Sequence, residues 1–136
     1  MKEINCLQDL TGLTITKVTG LEVDSDLVKF EFDDGNVIIM HHEQDCCEHV
    51  YLYDICGDKA DLEGGTVLSF TESTNTDDPT GIDYPDSFTW TFYNIATSKG
   101  YVNMRWLGES NGCYSEKVDI ENPNKDEDYC WRRMIN

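Results

Sequence analysis

The run Ser87-Phe-Thr-Trp-Thr-Phe-Tyr93 alternates large apolar and smaller polar side chains without interruption. A period of two fits a strand, because successive side chains leave a strand on opposite faces, whereas a helix would scatter the three rings around its axis. The pattern predicts Phe88, Trp90 and Phe92 on one face and Thr89, Thr91 and Tyr93 on the other. Lys99-Gly100 then turns the chain into Tyr101-Val-Asn-Met-Arg-Trp-Leu107, where Val102, Met104 and Trp106 form a matching apolar face. A hairpin is expected, with both apolar faces in the core.

Further strands follow from the same reading. Leu27 to Phe32 places Val28, Phe30 and Phe32 together, Asp33-Asp34-Gly35-Asn36 supplies turn residues, and Val37 to Met40 returns as a β-branched run. Leu13 to Leu21 reads as a first strand, bulged near Gly20. His49 to Ile55 sets Val50, Leu52 and Asp54 against Tyr51, Tyr53 and Ile55, and Thr66 to Thr71 is another strand. Glu72 to Asp86 holds almost no apolar residue and is expected to be a long mobile loop. Asn111-Gly112 is a turn signal, after which Tyr114 to Ile120 should close a three-stranded meander.

The sum is a mainly β chain: one antiparallel domain, meander or sandwich-like with little helix, over residues 1–122, followed by a C-terminal segment, 123–136. Its expected core includes Phe30, Phe32, Ile39, Phe88, Trp90, Phe92, Val102, Met104, Trp106 and Val118. With 39% apolar residues in 136, such a domain has material for a core.

Charge limits what the domain meets. The chain carries 27 acidic and 10 basic side chains, a formal charge of −17. Residues 1–68 hold 15 of the acids and residues 69–136 hold 12, so the excess coats the domain rather than forming a tail. That field repels nucleic-acid phosphates and anionic membranes and favours a basic protein partner. No apolar run is long enough to span a bilayer, and Met1 to Leu10 lacks the basic and apolar stretches of a signal peptide. A cytoplasmic protein with its six cysteines as free thiols is therefore expected.

Three groups of residues bear on chemistry. His41-His-Glu-Gln-Asp-Cys-Cys-Glu-His49 gathers all three histidines, and His42, Cys46 and His49 are the candidate ligands of a zinc or similar ion. The segment has no Cys-x-x-Cys or His-Glu-x-x-His spacing, and the plainer reading is a tight turn with half-buried cysteines. The same residues supply a thiol, an imidazole and a carboxylate but no nucleophile elbow, so a binding protein is favoured over an enzyme. Tyr93, Lys99, Tyr101, Arg105 and Trp106 interleave rings and cations; core packing explains them more simply than base stacking, with a nucleotide held by Arg105 and Lys99 as the alternative. The acidic surface is the third group. A charge of −17 exceeds the magnitude of about 2 to 8 that keeps a small domain soluble. Carboxylates on a β surface imitate phosphates, and Asp33, Asp34, Asp58, Asp61, Glu63, Asp77 and Asp78 are the loop candidates for filling a basic groove.

The motifs Gln44-Asp-Cys-Cys-Glu48, Thr89-Trp-Thr-Phe-Tyr93 and Ser110-Asn-Gly-Cys-Tyr-Ser-Glu116, with Asp54-Ile-Cys-Gly-Asp58, Thr97-Ser-Lys-Gly100 and Arg105-Trp106, resemble an uncharacterised domain family of phage and prophage genomes over roughly residues 30–120. The family brings no established activity. The resemblance implies a small phage accessory protein, and acidic proteins of that kind often inhibit host immunity or nucleases by mimicking DNA. An anti-defence, anti-CRISPR-like inhibitor with a basic host protein or nuclease complex as partner is the expectation; its oligomeric state is left open.

Overall fold

The computed structural model describes residues 2–43, 47–75, 87–110 and 115–123. A 3₁₀ turn at Leu7–Leu10 is followed by β1 (Ile15–Thr19), β2 (Leu27–Phe32), β3 (Val37–His41) and β4 (His49–Cys56). A second 3₁₀ turn, Lys59–Asp61, leads to β5 (Val67–Asn75), β6 (Ser87–Thr97), β7 (Tyr101–Ser110) and β8 (Asp119–Glu121). The strands make two antiparallel four-stranded sheets, ordered β1-β2-β3-β8 and β4-β7-β6-β5. The mainly β, sandwich-like expectation holds.

The two sheets share one core. Val28, Phe30, Ile38, Met40 and Ile120 from the first meet Leu52, Phe70, Tyr93, Ile95, Val102, Met104 and Trp106 from the second, all essentially inaccessible to water. Phe30 stands edge-on to Phe70 at 5.7 Å between ring centres, and Phe70 edge-on to Tyr93 at 6.4 Å. Burying side chains of this size at roughly 25 cal/mol per Å² is the main force holding the sheets face to face. Ile4, Leu7 and Leu10 seal part of this core from outside the sheets.

Local chemistry fixes the turns. Gly35 sits at φ +94°, in the left-handed region that glycine enters freely, and its N–H donates to the Phe32 carbonyl to close the β2–β3 hairpin. The outer edge of β1 is covered by the β4–β5 connection: Gly64 N–H donates to Ile15 O, Ile15 N–H to Gly65 O, and Val18 N–H to the Glu63 carboxylate. An edge that would otherwise recruit another strand is thereby paired.

Several sequence expectations are corrected. Phe88 and Phe92 are only half-buried, and Trp90 is buried but lies outside the main core cluster; the inward face of β6 is Tyr93 and Ile95, with Thr91 and Thr97 also buried. The cause is the hairpin register. The Thr97 N–H donates to Gly100 O, which leaves a two-residue loop and pairs Ile95 with Val102, Tyr93 with Met104 and Thr91 with Trp106. Directly opposed residues share a face, so even-numbered core positions on β7 require odd-numbered ones on β6. By the same rule Ile39, opposite Lys29, lies on the outer face of its sheet while Ile38 and Met40 point inward.

The expected three-stranded meander also changes. β8 pairs with β3 in the first sheet rather than extending the second. Glu72 to Asn75 are strand, not loop, because β5 runs on beside β6. The remainder of that expected loop, residues 76–86, and nearly all of the C-terminal segment, 124–136, lie outside the described residues.

Candidate functional site

The acidic candidates are mostly held by backbone. Asp33 accepts from Thr14 N–H at 3.2 Å, Asp61 from Asp58 N–H at 3.0 Å, and Glu63 from Val18 N–H at 2.9 Å. Asp34 accepts from the amides of Lys2 and Asn36. Burial works against its charge, but those amides prevail and hold the carboxyl below its usual range. Asp33 and Asp58 are exposed. Asp33 and Glu63 thus reach β1 and its approach at positions 14 and 18, about 13 Å apart at strand rise. Asp77 and Asp78 lie outside the described residues.

Of the candidate metal ligands, His42 and His49 are described, and each makes contacts of its own. His42 is tied at both nitrogens, Nδ1 to the Lys117 carbonyl at 2.7 Å and Nε2 to the buried Glu48 carboxylate at 2.8 Å. The carbonyl only accepts, so Nδ1 carries hydrogen and one proton is shared between Nε2 and Glu48. His49 is exposed and stacks on Tyr51 at 4.3 Å. Cys46 lies outside the described residues. Among the described residues, no group of three or more His, Cys, Asp or Glu side chains is placed to hold an ion. Cys47 is disulfide-bonded, which corrects the expectation of free thiols; spacing in the chain does not show which cysteines come within bonding reach. Cys6 and Cys56 are free.

Beside this segment, Glu116 is buried and accepts from Thr89 Oγ1 at 2.6 Å and from Ser110 Oγ. Gly108 makes room for it: a Cβ there would stand 2.3 Å from the Glu116 carbonyl oxygen. Asp119, also buried, accepts from Glu43 N–H at 2.8 Å. These carboxylates tie Glu116 to β6 and β7 and Asp119 to the chain just after β3.

The outer face of the second sheet holds what the sequence reading missed. β4 and β7 pair regularly to Leu52 and Trp106, then a bulge sets both Tyr53 and Asp54 against Arg105. The extra residue re-aims two side chains to one spot. The Arg105 guanidinium lies 5.3 Å from the Tyr53 ring centre and 4.9 Å from that of Trp90, and its Nη2 is 3.2 Å from Asp54 Oδ2. Tyr53 and Trp90 meet edge to face at 5.0 Å. The cation is therefore clasped between two rings and neutralised by one carboxylate.

Along β7 from this clasp runs a groove of about 200 Å³, lined by Asp54 and Cys56 from β4, Phe92 and Asn94 from β6, and Asn103 and Arg105 from β7. Asn103 Oδ1 and Arg105 Nε are buried without a hydrogen-bond partner. Lys99 is elsewhere: its ammonium donates to the Glu63 carbonyl. Tyr93 and Trp106 are in the core, so the interleaved rings and cations of the sequence resolve into an inward set and an outward set. The parity of the 97–100 turn was the signal that separates them.

Fold and face together define an acidic all-β sandwich whose second sheet presents an arginine-centred aromatic surface. A family model described as a domain of unknown function (DUF7448) matches residues 8–120, and the chain belongs to that family. No curated protein and no solved structure matches it. Among the described residues no helix is long and apolar enough to cross a membrane.

Proposed function

We propose that this chain is a binding protein whose anionic surface fills a basic, nucleic-acid-reading groove of another protein. The observation that carries the reading is the charge of −17, with the carboxylates of Asp33, Asp61 and Glu63 pinned by amides rather than left on free side chains. Pinned carboxylates present negative charge at fixed spacing, as phosphates do, and need little ordering on binding. The finer reading is a phage-type, anti-defence inhibitor of a host nuclease complex. It draws on the likeness of the Gln44–Glu48, Thr89–Tyr93 and Ser110–Glu116 motifs to a phage and prophage domain family.

The experiment immobilises the chain and passes nuclease-treated bacterial extract over it. Specific basic proteins should be retained at low ionic strength and released as salt approaches about 1 M, where the Debye length falls to roughly 3 Å. The double variant Asp33→Lys, Asp58→Lys should retain them markedly less. Retention that ignores both salt and charge reversal overturns the reading.

A further inference from the structure

We infer that the open edge of β5 is a strand-addition site for an extended, lysine- or arginine-bearing segment of another protein, paired antiparallel like the strands beside it. The fold treats its other sheet edges differently. β1 is paired by the β4–β5 connection, Leu52 of β4 donates to Ser25 O and accepts from Asp24 N–H, and β8 is three residues long. β5 has nine residues and begins paired, Val67 donating to Leu13 O and accepting from Gly12 N–H. Beyond Val67, no backbone group among the described residues meets its outer side. The register says which groups are open. Thr97 N–H turns toward Gly100, on the β7 side, so Ile95, Tyr93 and Thr91 turn their backbone groups the same way, and Asn94, Phe92 and Trp90 turn theirs toward β5. Thr71, Ser73 and Asn75 stand opposite that second set and bond to it. The N–H and C=O groups of Phe70, Glu72 and Thr74 therefore point away from the sheet, at the alternate positions an added strand requires. Leu68, Ser69, Thr71, Ser73 and Thr74 are exposed around them. The strand, Val67-Leu-Ser-Phe-Thr-Glu-Ser-Thr-Asn75, holds no lysine or proline, the residues by which edge strands ordinarily avoid pairing.

Charge selects the occupant. The charged side chain of β5 is Glu72, half-buried, with Tyr93 Oη donating to it and Lys117 acting on it through space. Directly opposed residues of paired strands share a face, so the added residue opposite Glu72 meets a carboxylate, and a lysine or arginine there pairs with it. A second copy of this chain fits worse: self-pairing about Glu72 sets carboxylate against carboxylate, and each copy brings a charge of −17. The site is separate from the pinned carboxylates of Asp33, Asp61 and Glu63 and stands without them.

The test adds two synthetic peptides to the full chain, acetyl-Thr-Val-Thr-Lys-Thr-Val-Thr-amide and its counterpart with glutamate at the centre, and follows backbone amide exchange by NMR. At roughly nine-tenths occupancy the lysine peptide should slow exchange at Phe70, Glu72 and Thr74 about tenfold, leaving the β6–β7 ladder unchanged. The glutamate peptide should bind about three- to tenfold more weakly, and Glu72→Gln should remove that difference. N-methylation of the peptide's lysine and both valines, whose N–H groups face β5 when lysine lies opposite Glu72, should abolish protection; N-methylation of its two inner threonines should not. Thr74→Pro deletes one outward N–H without touching the β6 ladder and should weaken binding, with unchanged exchange along β6 and β7 reporting an intact fold. The double variant Asp33→Lys, Asp58→Lys should keep the peptide protection, so failure of the acidic-surface reading and failure of this one are told apart. The inference is overturned if the three amides already exchange slowly in the dilute free chain or slow as the chain alone is concentrated, which marks a second copy. It is equally overturned if neither peptide protects them, if lysine and glutamate peptides protect alike, or if both N-methylated forms do.

Discussion

Glu72 shows how one side chain sets a pH response. Its carboxyl is mostly buried on the inner side of β5, where desolvation raises its pKa above the ordinary 4.5 despite the opposing hydrogen bond from Tyr93 Oη at 2.5 Å. Tyr93, fully buried beside it, is pushed well above 10 by desolvation and by the Glu72 charge. A raised carboxyl pKa means the folded chain holds a proton that the unfolded chain releases. Stability then falls as pH rises from 4.5 through the folded value, and the deficit persists at neutral pH. Glu72→Gln keeps an acceptor for Tyr93 and removes the charge. Urea denaturation should find the variant more stable than the parent at neutral pH and equal to it below pH 4.5. At Arg105, Arg105→Lys keeps the charge but loses the planar contact with two rings, and should cost about 1 kcal/mol by the same measurement. Cysteine reactivity divides similarly: alkylation followed by mass spectrometry should label exposed Cys56 readily, Cys6 more slowly, and Cys47 only after reduction.

Strands and turns set where these side chains point. Gly108 lets the Glu116 segment lie against β7, and Gly108→Ala places a methyl 2.3 Å from backbone oxygen. A loss of about 1–3 kcal/mol in thermal or chemical denaturation is expected, large for a single methyl group. At this scale the sequence is readable in part. Period-two alternation located β2, β3, β4 and the β6–β7 hairpin, because half-buried strands must alternate. It did not assign the faces of β6. Phe88, Trp90 and Phe92 look like the more apolar face, yet a two-residue turn at Ser98-Lys99 obliges Thr91, Tyr93 and Ile95 to oppose Trp106, Met104 and Val102. The aromatic clasp was hidden for the same reason, and also because the bulge at Tyr53 breaks the alternation of β4. The route of β8 to the first sheet depends on packing across the whole domain, which local pattern does not carry.

At the scale of the molecule, a sandwich with a continuous core tolerates an unusual excess of negative charge. Self-repulsion among 27 acids and 10 bases costs stability, and added salt should relieve it. The melting temperature is therefore expected to rise between low and moderate ionic strength, opposite in sign to the weakening expected for partner binding. The acids legible in the sequence are real surface features at Asp33 and Asp58, whereas Asp34, Asp61 and Glu63 also serve the turns that hold them. The central claim is that this surface takes the place of nucleic acid on a basic protein. Its most direct test is competition: labelled duplex DNA is bound to the captured partner, and its fluorescence anisotropy is followed as the chain is added. The account predicts full release of the duplex, with the midpoint rising in proportion to the DNA present. A ternary complex, in which the chain binds while the duplex stays in place, would contradict it.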